Sequence, residues 1–300
     1  MLCTGATGKS VCHGDSVSPL VSGSTQVGIV SWGSGDCTLG YETSYVTHPR
    51  GRTVPAAGNS AAVGGLMGAA AANEYPRPYH RRLRRQHRGL PRQLYLTYAA
   101  SLACGASIIG PQWALTAAHC VPFSEYVLYH LRAGSSSRDS GGTVLDMAVA
   151  YQHEQYDSTS GDYDVAVVRP DGSFPLGTNV AVVNLPEDGY DPPVGLAVTV
   201  RGWGMTETTS QPSTLQKVDV SVMGRSACYY PDIGREVTPR MLCAGEIGKS
   251  PCFGDSGGPL VSGSTQLGIV SWGSDNCDYA GGVYANVGNL RSWVTNVTNI

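Results

Sequence analysis

Hydrophobic positions in this chain of 300 residues come in short β-branched runs. Val144 to Val149, Val165 to Val168, Val198 to Val200, Val218 to Val222, Leu267 to Val270 and Val283 to Val287 are each only a few residues long, and Gly, Pro, Asp, Asn and Ser fill the gaps. Runs of that length bounded by turn residues predict strands, and turns this frequent predict antiparallel pairing in barrels or a sandwich. One helix is expected, at the end. Leu290, Trp293, Val294 and Val297 recur at i, i+3, i+4 and i+7 and would lay one apolar face on a barrel. The longest apolar run, Ala61 to Ala72, has twelve residues, short of the ~18 of a membrane span, so no membrane partner is expected.

Composition sharpens this all-β reading. Gly 39 and Pro 18 against 14% charged residues exclude a coiled coil, and the length predicts one or two domains with a large core. A net charge of −3 favours neither nucleic acid nor an acidic membrane surface. One segment differs: Arg77 through Arg92 holds seven arginines in sixteen positions. Such a run binds nucleic acid in some proteins, but no stacking aromatics alternate with these arginines, so a solvated segment is the expectation.

The chain also repeats itself. Met1 to Cys37 aligns without a gap on Met241 to Cys277, with 27 of 37 positions identical. An array would need three or more stacking units, so residues 1–50 read instead as a partial duplicate joined to a complete domain. The nine cysteines agree: six fall in the complete part, Cys12 and Cys37 keep the 25-residue separation of Cys252 and Cys277, and Cys3 is left over. Reduced core thiols or zinc ligands are the rival reading, but no Cys-x-x-Cys occurs and no metal is expected. Disulfides place the chain in an oxidising compartment, and the sequon Asn296-Val297-Thr298 is compatible with secretion. Met1-Leu2-Cys3-Thr4-Gly5 shows no basic start followed by an apolar core, so no secretion signal is read in the chain.

Three motifs carry chemistry: Thr116-Ala117-Ala118-His119-Cys120, then Asp164-Val165-Ala166-Val167-Val168, then Gly254-Asp255-Ser256-Gly257-Gly258-Pro259-Leu260. Taken singly, a His beside a Cys and an Asp opening an apolar strand are ordinary structural residues. Together they supply what a serine nucleophile needs. A hydroxyl is a weak nucleophile until a base takes its proton, and the base needs an acceptor that fixes its tautomer. Ser256, His119 and Asp164 fill these roles. The backbone N–H groups of Gly254 and Ser256 would bind the oxyanion of a tetrahedral intermediate.

These motifs resemble those of the chymotrypsin-type (trypsin-like) serine peptidases, over about residues 98–297 with a fainter match from Ala62. The resemblance implies two antiparallel six-stranded β-barrels with the active site between them and a C-terminal α-helix. It implies disulfides Cys104–Cys120, Cys228–Cys243 and Cys252–Cys277. Ser271-Trp272-Gly273 corresponds to the segment that pairs with substrate backbone, and Ser271 is expected near Asp164. Ser250 would floor the primary pocket and Gly273 and Gly282 would wall it. With no carboxylate at the floor, the implied preference is for Tyr, Phe, Trp or Leu, although Asp275 and Asp278 lie nearby in sequence. No cofactor is required. The implied partners are protein or peptide substrates and protein protease inhibitors, acting on an extracellular monomer.

Two departures stand out. The family's activation cleavage frees an Ile or Val amine that pairs with the Asp before the nucleophile, here Asp255. The candidate start is Ala62-Val63-Gly64-Gly65, preceded by Ala61 rather than Arg or Lys. Residues 51–97 therefore read as a linker with a degenerate activation end at 62–65 and the arginine-rich stretch. The peptidase domain is 98–300, with 62–97 as its uncertain first part. In the duplicate, Val17-Ser18 replace the two glycines after the serine, so residues 1–50 are expected to be inert. A homologue that binds without cutting, and a basic nucleic-acid-binding protein, are the rival functions.

Overall fold

Side-chain alternation decides which way each strand faces. In Gln216–Met223, Val218, Val220 and Val222 are buried, whereas Asp219 between them is exposed. In Tyr129–Ala133, Tyr129, Leu131 and Ala133 point inward, with His130 and Arg132 between. Each such valine or leucine contributes about 1.5–3 kcal/mol by leaving water. A sheet with one such inward face closes most simply on itself.

The computed structural model describes residues 92–99, 102–123, 126–228, 233–274, 277 and 281–300, together with four strands within residues 2–46. The chain divides into two units, 1–72 and 73–300. In the first, β1 (Leu2–Thr4), β2 (Pro19–Ser22), β3 (Thr25–Trp32) and β4 (Thr43–Val46) form a sheet in the order β1-β4-β3-β2.

The second unit contains two closed six-stranded antiparallel barrels. The first is β10-β7-β6-β5-β8-β9, built from β5 (Gln93–Tyr98), β6 (Leu102–Gly110), β7 (Trp113–Thr116), β8 (Tyr129–Ala133), β9 (Thr143–Gln152) and β10 (Ala166–Pro170). The second is β11-β12-β13-β16-β15-β14, built from β11 (Ala197–Gly202), β12 (Gln216–Met223), β13 (Met241–Gly245), β14 (Pro259–Ser262), β15 (Thr265–Gly273) and β16 (Gly282–Asn286). Its order β13-β16-β15-β14 matches that of β1 to β4. Pro19↔Ile29 and Leu20↔Gly28 pair as Pro259↔Ile269 and Leu260↔Gly268 do, with the same register shift one residue later.

The helix α1 (Arg291–Thr298) follows. Leu290 and Val294 join the core of the first barrel, Trp293 and Val297 pack on it half-buried, and Asn296 is exposed. The helix stops at Asn299, whose left-handed φ of 63° lets its N–H close on Thr295 O. No helix among the described residues is long and apolar enough to cross a membrane.

Disulfides join Cys104 to Cys120, Cys228 to Cys243 and Cys252 to Cys277, the pairings the resemblance implies. By loop entropy each contributes about 3 kcal/mol. The first barrel opens at Gln93, directly after the arginine-rich stretch, and β5 pairs with both β6 and β8. Residues 51–91, including the expected activation end at 62–65 and most of that stretch, lie outside the described residues.

The barrels meet through close backbone contacts as well as side chains, Tyr95 of the first lying edge-on to Trp203 of the second at 5.3 Å between ring centroids. Gly105 N donates to Ser256 O at 2.7 Å. Gly257 has φ +74°, and a Cβ there would run into Thr116 Oγ1 and Gly105 O and lie 3.0 Å from Cys120 Sγ. Gly263, at φ +59° in a hairpin turn, has nothing within 4 Å of a Cβ. Gly263→Ala is therefore expected to cost about 1 kcal/mol, the left-handed penalty alone, and Gly257→Ala about 3 kcal/mol or more, because the seam must open. Urea unfolding midpoints measure the difference; equal losses would contradict this packing.

Candidate active site

Asp164 sits immediately before β10, 2% exposed, where burial alone would disfavour a charge. Its partners compensate. Oδ1 accepts from the backbone N–H of His119 at 3.0 Å; Oδ2 accepts from His119 Nδ1 at 2.7 Å and from Ser271 Oγ at 2.5 Å. Burial pushes the Asp164 pKa up, but His119 and these donors outweigh it and hold the group below the ordinary carboxylate value. For His119, burial favours the neutral ring, the Asp164 charge and hydrogen bond favour the protonated one, and the balance lies above the ordinary imidazole value. With the Nδ1 proton committed to Asp164, Nε2 carries the lone pair.

The sequence builds this locally. His119 lies in a single 3-10 turn, Ala118–Cys120, which follows β7. Gln152 Nε2 at the end of β9 donates to Ala118 O at 2.8 Å and to Val121 O at 3.3 Å, pinning both sides of that turn. Ser271 reaches Asp164 because β15 shifts register between Val270 and Trp272, an irregularity of the kind that re-aims a side chain.

Ser256 arrives from the opposite barrel. His119 Nε2 is 3.7 Å from Cys120 Sγ, and that sulfur also bounds Gly257, the residue after the serine. Among the described residues no hydrogen bond joins Ser256 Oγ to the ring; bonds of this kind commonly tighten only with substrate bound. The amides around Ser256 are ordered by their carbonyls. Phe253 O accepts from Met205 N at 2.8 Å and Asp255 O from Gly258 N at 2.9 Å. In a trans peptide the N–H points opposite the C=O, so the Gly254 and Ser256 N–H groups both face away from these acceptors. Neither donates to a protein acceptor among the described residues, whereas Asp255 N bonds Cys252 O and Gly257 N bonds Val270 O. Gly254 supports this path with φ +92°.

Asp255 is fully buried, and its carboxylate accepts from Gly204 N and Cys252 N, each at 2.9 Å. Its expected partner, the Ala62 amine, lies outside the described residues. Beside Ser256 opens a cavity of about 380 Å³ lined by Pro251, Phe253, Trp272, Gly273, Ser274 and Arg235, among others. Ser250, next to the lining Pro251, is buried and not itself among the lining residues, its Oγ donating to Cys277 O at 2.6 Å. Gly273 and Gly282 pair across β15 and β16, and a Cβ on Gly282 would strike the Pro251 ring. No described residue lining the cavity is acidic; Asp275 and Asp278 lie outside the described residues. Cys104, His119 and Cys120 crowd within 4.8 Å of one another, but both sulfurs are spent in a disulfide and offer no thiolate to a metal.

The family model described as Trypsin matches residues 1–49 and 80–294. The chain belongs to the trypsin family. Trypsin alpha-4 of Lucilia cuprina is 38% identical over 214 residues, covering 70% of this chain and 83% of that protein. Trypsin alpha of Drosophila erecta is 39% identical over 215 residues with the same coverage, and Trypsin beta of that fly is 39% identical over 212 residues, covering 69% and 83%. Among solved structures, the scabies mite inactivated protease paralogue S-D1 superposes with a TM-score of 0.66 at 24% identity, over 70% of this chain and 92% of that one; at that identity the likeness concerns the fold. This trypsin-family chain is a serine-type endopeptidase.

Residues the motifs did not reveal are Gln152, which steadies the histidine turn, Pro251 in the pocket wall, and Arg235 on the cleft. The first two sit in ordinary strand and loop sequence, and nothing near Arg235 marks it. A general base at His119 would work as the neutral ring, so kcat/KM is expected to fall with decreasing pH around a midpoint above about 6.5. In Asp164→Asn the acid-side midpoint should move lower, because burial and the Arg235 charge remain without the opposing carboxylate, and kcat should drop about 10⁴-fold. A pH profile of the variant that keeps the wild-type midpoint would contradict this reading.

Proposed function

We propose that His119, Asp164 and Ser256 act as one catalytic unit that cleaves peptide bonds after aromatic or large apolar residues, in a secreted endopeptidase. The observation that carries it is the 2.7 Å bond from His119 Nδ1 to a buried Asp164, together with a Ser256 loop across the seam whose Gly254 and Ser256 amides have no protein acceptor among the described residues. His119 Nε2 takes the Ser256 proton as Oγ attacks the carbonyl carbon. The oxyanion is held by the Gly254 and Ser256 amides, and the ring returns the proton to the leaving amine. Water, deprotonated by the same ring, then releases the acid and restores Ser256. Losing one oxyanion donor costs about 10²–10³ in rate. Ser250 and the Pro251 ring favour an apolar guest, since an Arg or Lys side chain would enter without a counter-charge among the described lining residues. Disulfides and the sequon support secretion.

Residues 1–50 are read as a partial, inert duplicate. Val17 stands where Gly257 has φ +74° with no room for a Cβ, and a β-branched residue resists that conformation. A second reading, a homologue that binds without cutting, is favoured by Ala62 at the expected activation end, where a smaller side chain forgoes about 1–3 kcal/mol of burial relative to Ile.

An aromatic ester and a serine-directed phosphonate separate the two. The full chain is expected to hydrolyse the ester and to be labelled on Ser256, and Ser256→Ala to lose roughly a millionfold in kcat. Peptides ending in Tyr or Phe at the scissile bond should be cleaved at least about tenfold faster than those ending in Arg. Absence of label on Ser256 after every plausible activating cleavage would favour the non-cutting homologue, and an Arg preference would overturn the pocket assignment.

A further inference from the structure

The cleft carries a cation that the chemistry above does not use. Arg235 lines the same cavity as Ser256, and its guanidinium carbon lies 5.6 Å from the centroid of the Trp272 ring. Its hold on the protein is through neutral groups: Nε donates to Thr159 O at 2.9 Å and Nη2 to Ser158 O at 3.0 Å. The other end, Nη1, lies 3.4 Å from where a Cβ on Gly161 would stand, so the absence of a side chain at Gly161 lets loop, guanidinium and indole close together.

In the second unit Arg225 pairs with Asp191 and Arg240 with Asp162, whereas Arg92, Arg132 and Arg291, like Arg235, bond to carbonyl oxygens, but of these only Arg235 lines the cavity beside Ser256. Among the described residues no carboxylate lies within ion-pair distance of Arg235. Its charge is felt at the site, acting against protonation of His119 and against the burial that pushes the Tyr156 phenol up to about 12. Among the described residues, two carbonyls and an indole face fix the guanidinium in place and no carboxylate neutralises it. A pre-positioned, unneutralised guanidinium with unused donors is suited to a carboxylate.

The strand next to it is the one expected to receive substrate. Among the described strands, β14 pairs with β15 only as far as Ile269, and from Trp272 to Gly273 β15 keeps register with β16. A peptide laid along β15 beside Ser271, with one side chain in the cavity, sends its preceding residues past Trp272 and therefore past Arg235.

We propose that Arg235 selects substrates bearing an acidic side chain two to four residues before the scissile bond. The inference rests on the peptidase reading above and adds a charge requirement to it. The partner is an extended acidic peptide segment, recognised by a charge-assisted bond at a half-exposed position, where such pairs give a few-fold discrimination that added salt weakens.

The test uses fluorogenic peptides that are identical except for Asp, Asn or Lys at the second, third or fourth residue before the cleaved bond. At one of these positions the active full chain is expected to favour Asp over Lys by about three- to tenfold in kcat/KM at low salt. Arg235→Gln should bring that ratio close to one and Arg235→Glu should invert it. The same ratio read as dissociation constants on the Ser256→Ala chain does not depend on catalysis. A ratio unchanged by both Arg235 substitutions, or a wild-type preference for Lys at all three positions, overturns the inference. Loss of ester hydrolysis and Ser256 labelling, with the binding ratio intact, overturns the peptidase reading and leaves the acidic subsite standing.

Discussion

The buried carboxylate of Asp164 is the constraint on which the rest of the site depends. A charge held at 2% exposure costs several kcal/mol unless donors surround it. Here they come from both sides of the seam: the amide and ring of His119 from the first barrel, the hydroxyl of Ser271 from the second. Removing any one leaves a buried charge short of partners, so the geometry that satisfies Asp164 also sets where the histidine ring stands. The bonds that orient the ring thus also tie the barrels together, beside the backbone bond from Gly105 N to Ser256 O. The irregular register of β15 belongs to this arrangement, since a regular strand would turn Ser271 elsewhere.

The serine loop solves a related problem with backbone alone. The Phe253 and Asp255 carbonyls each find a donor inside the protein, which turns the following Gly254 and Ser256 amides away from it, and Gly254 and Gly257 take positive φ values that other residues do not accept cheaply. The loop is pressed against the first barrel so closely that Gly105 and Gly257 have no space for side chains. Close approach brings Gly257, the residue after the serine, up against Cys120, the residue after the histidine, across the seam. Arg235 is placed by the same economy, clamped by two carbonyls of the loop that leads to Asp164.

Much of this is legible in the sequence because chemistry restricts residue types at a few positions. His119, Asp164 and Ser256 stand in motifs whose spacing matters less than their order, and the valine-rich strands β9, β11 and β12 announce themselves as short β-branched runs between turn residues. Strands such as β6 and β13 do not: LACGASIIG and MLCAG are rich in Ala, Gly and Cys, and β13 is buried on both faces, so no two-residue period survives. β5 alternates but is masked by the arginines before it. Strand order and disulfide pairing entered through resemblance to a family, since nine cysteines alone leave many connectivities open. Arg235 was out of reach because its meaning arises only when the fold brings Trp272 and Gly161 beside it.

The account turns on Asp164 fixing one tautomer of His119, and nitrogen-15 NMR of the His-labelled chain reads that directly. At a pH above the ring's midpoint, Nδ1 is predicted to be protonated, with its proton far downfield in a strong hydrogen bond, and Nε2 to be bare. A ring protonated on Nε2, or a mixture of the two tautomers, would contradict it.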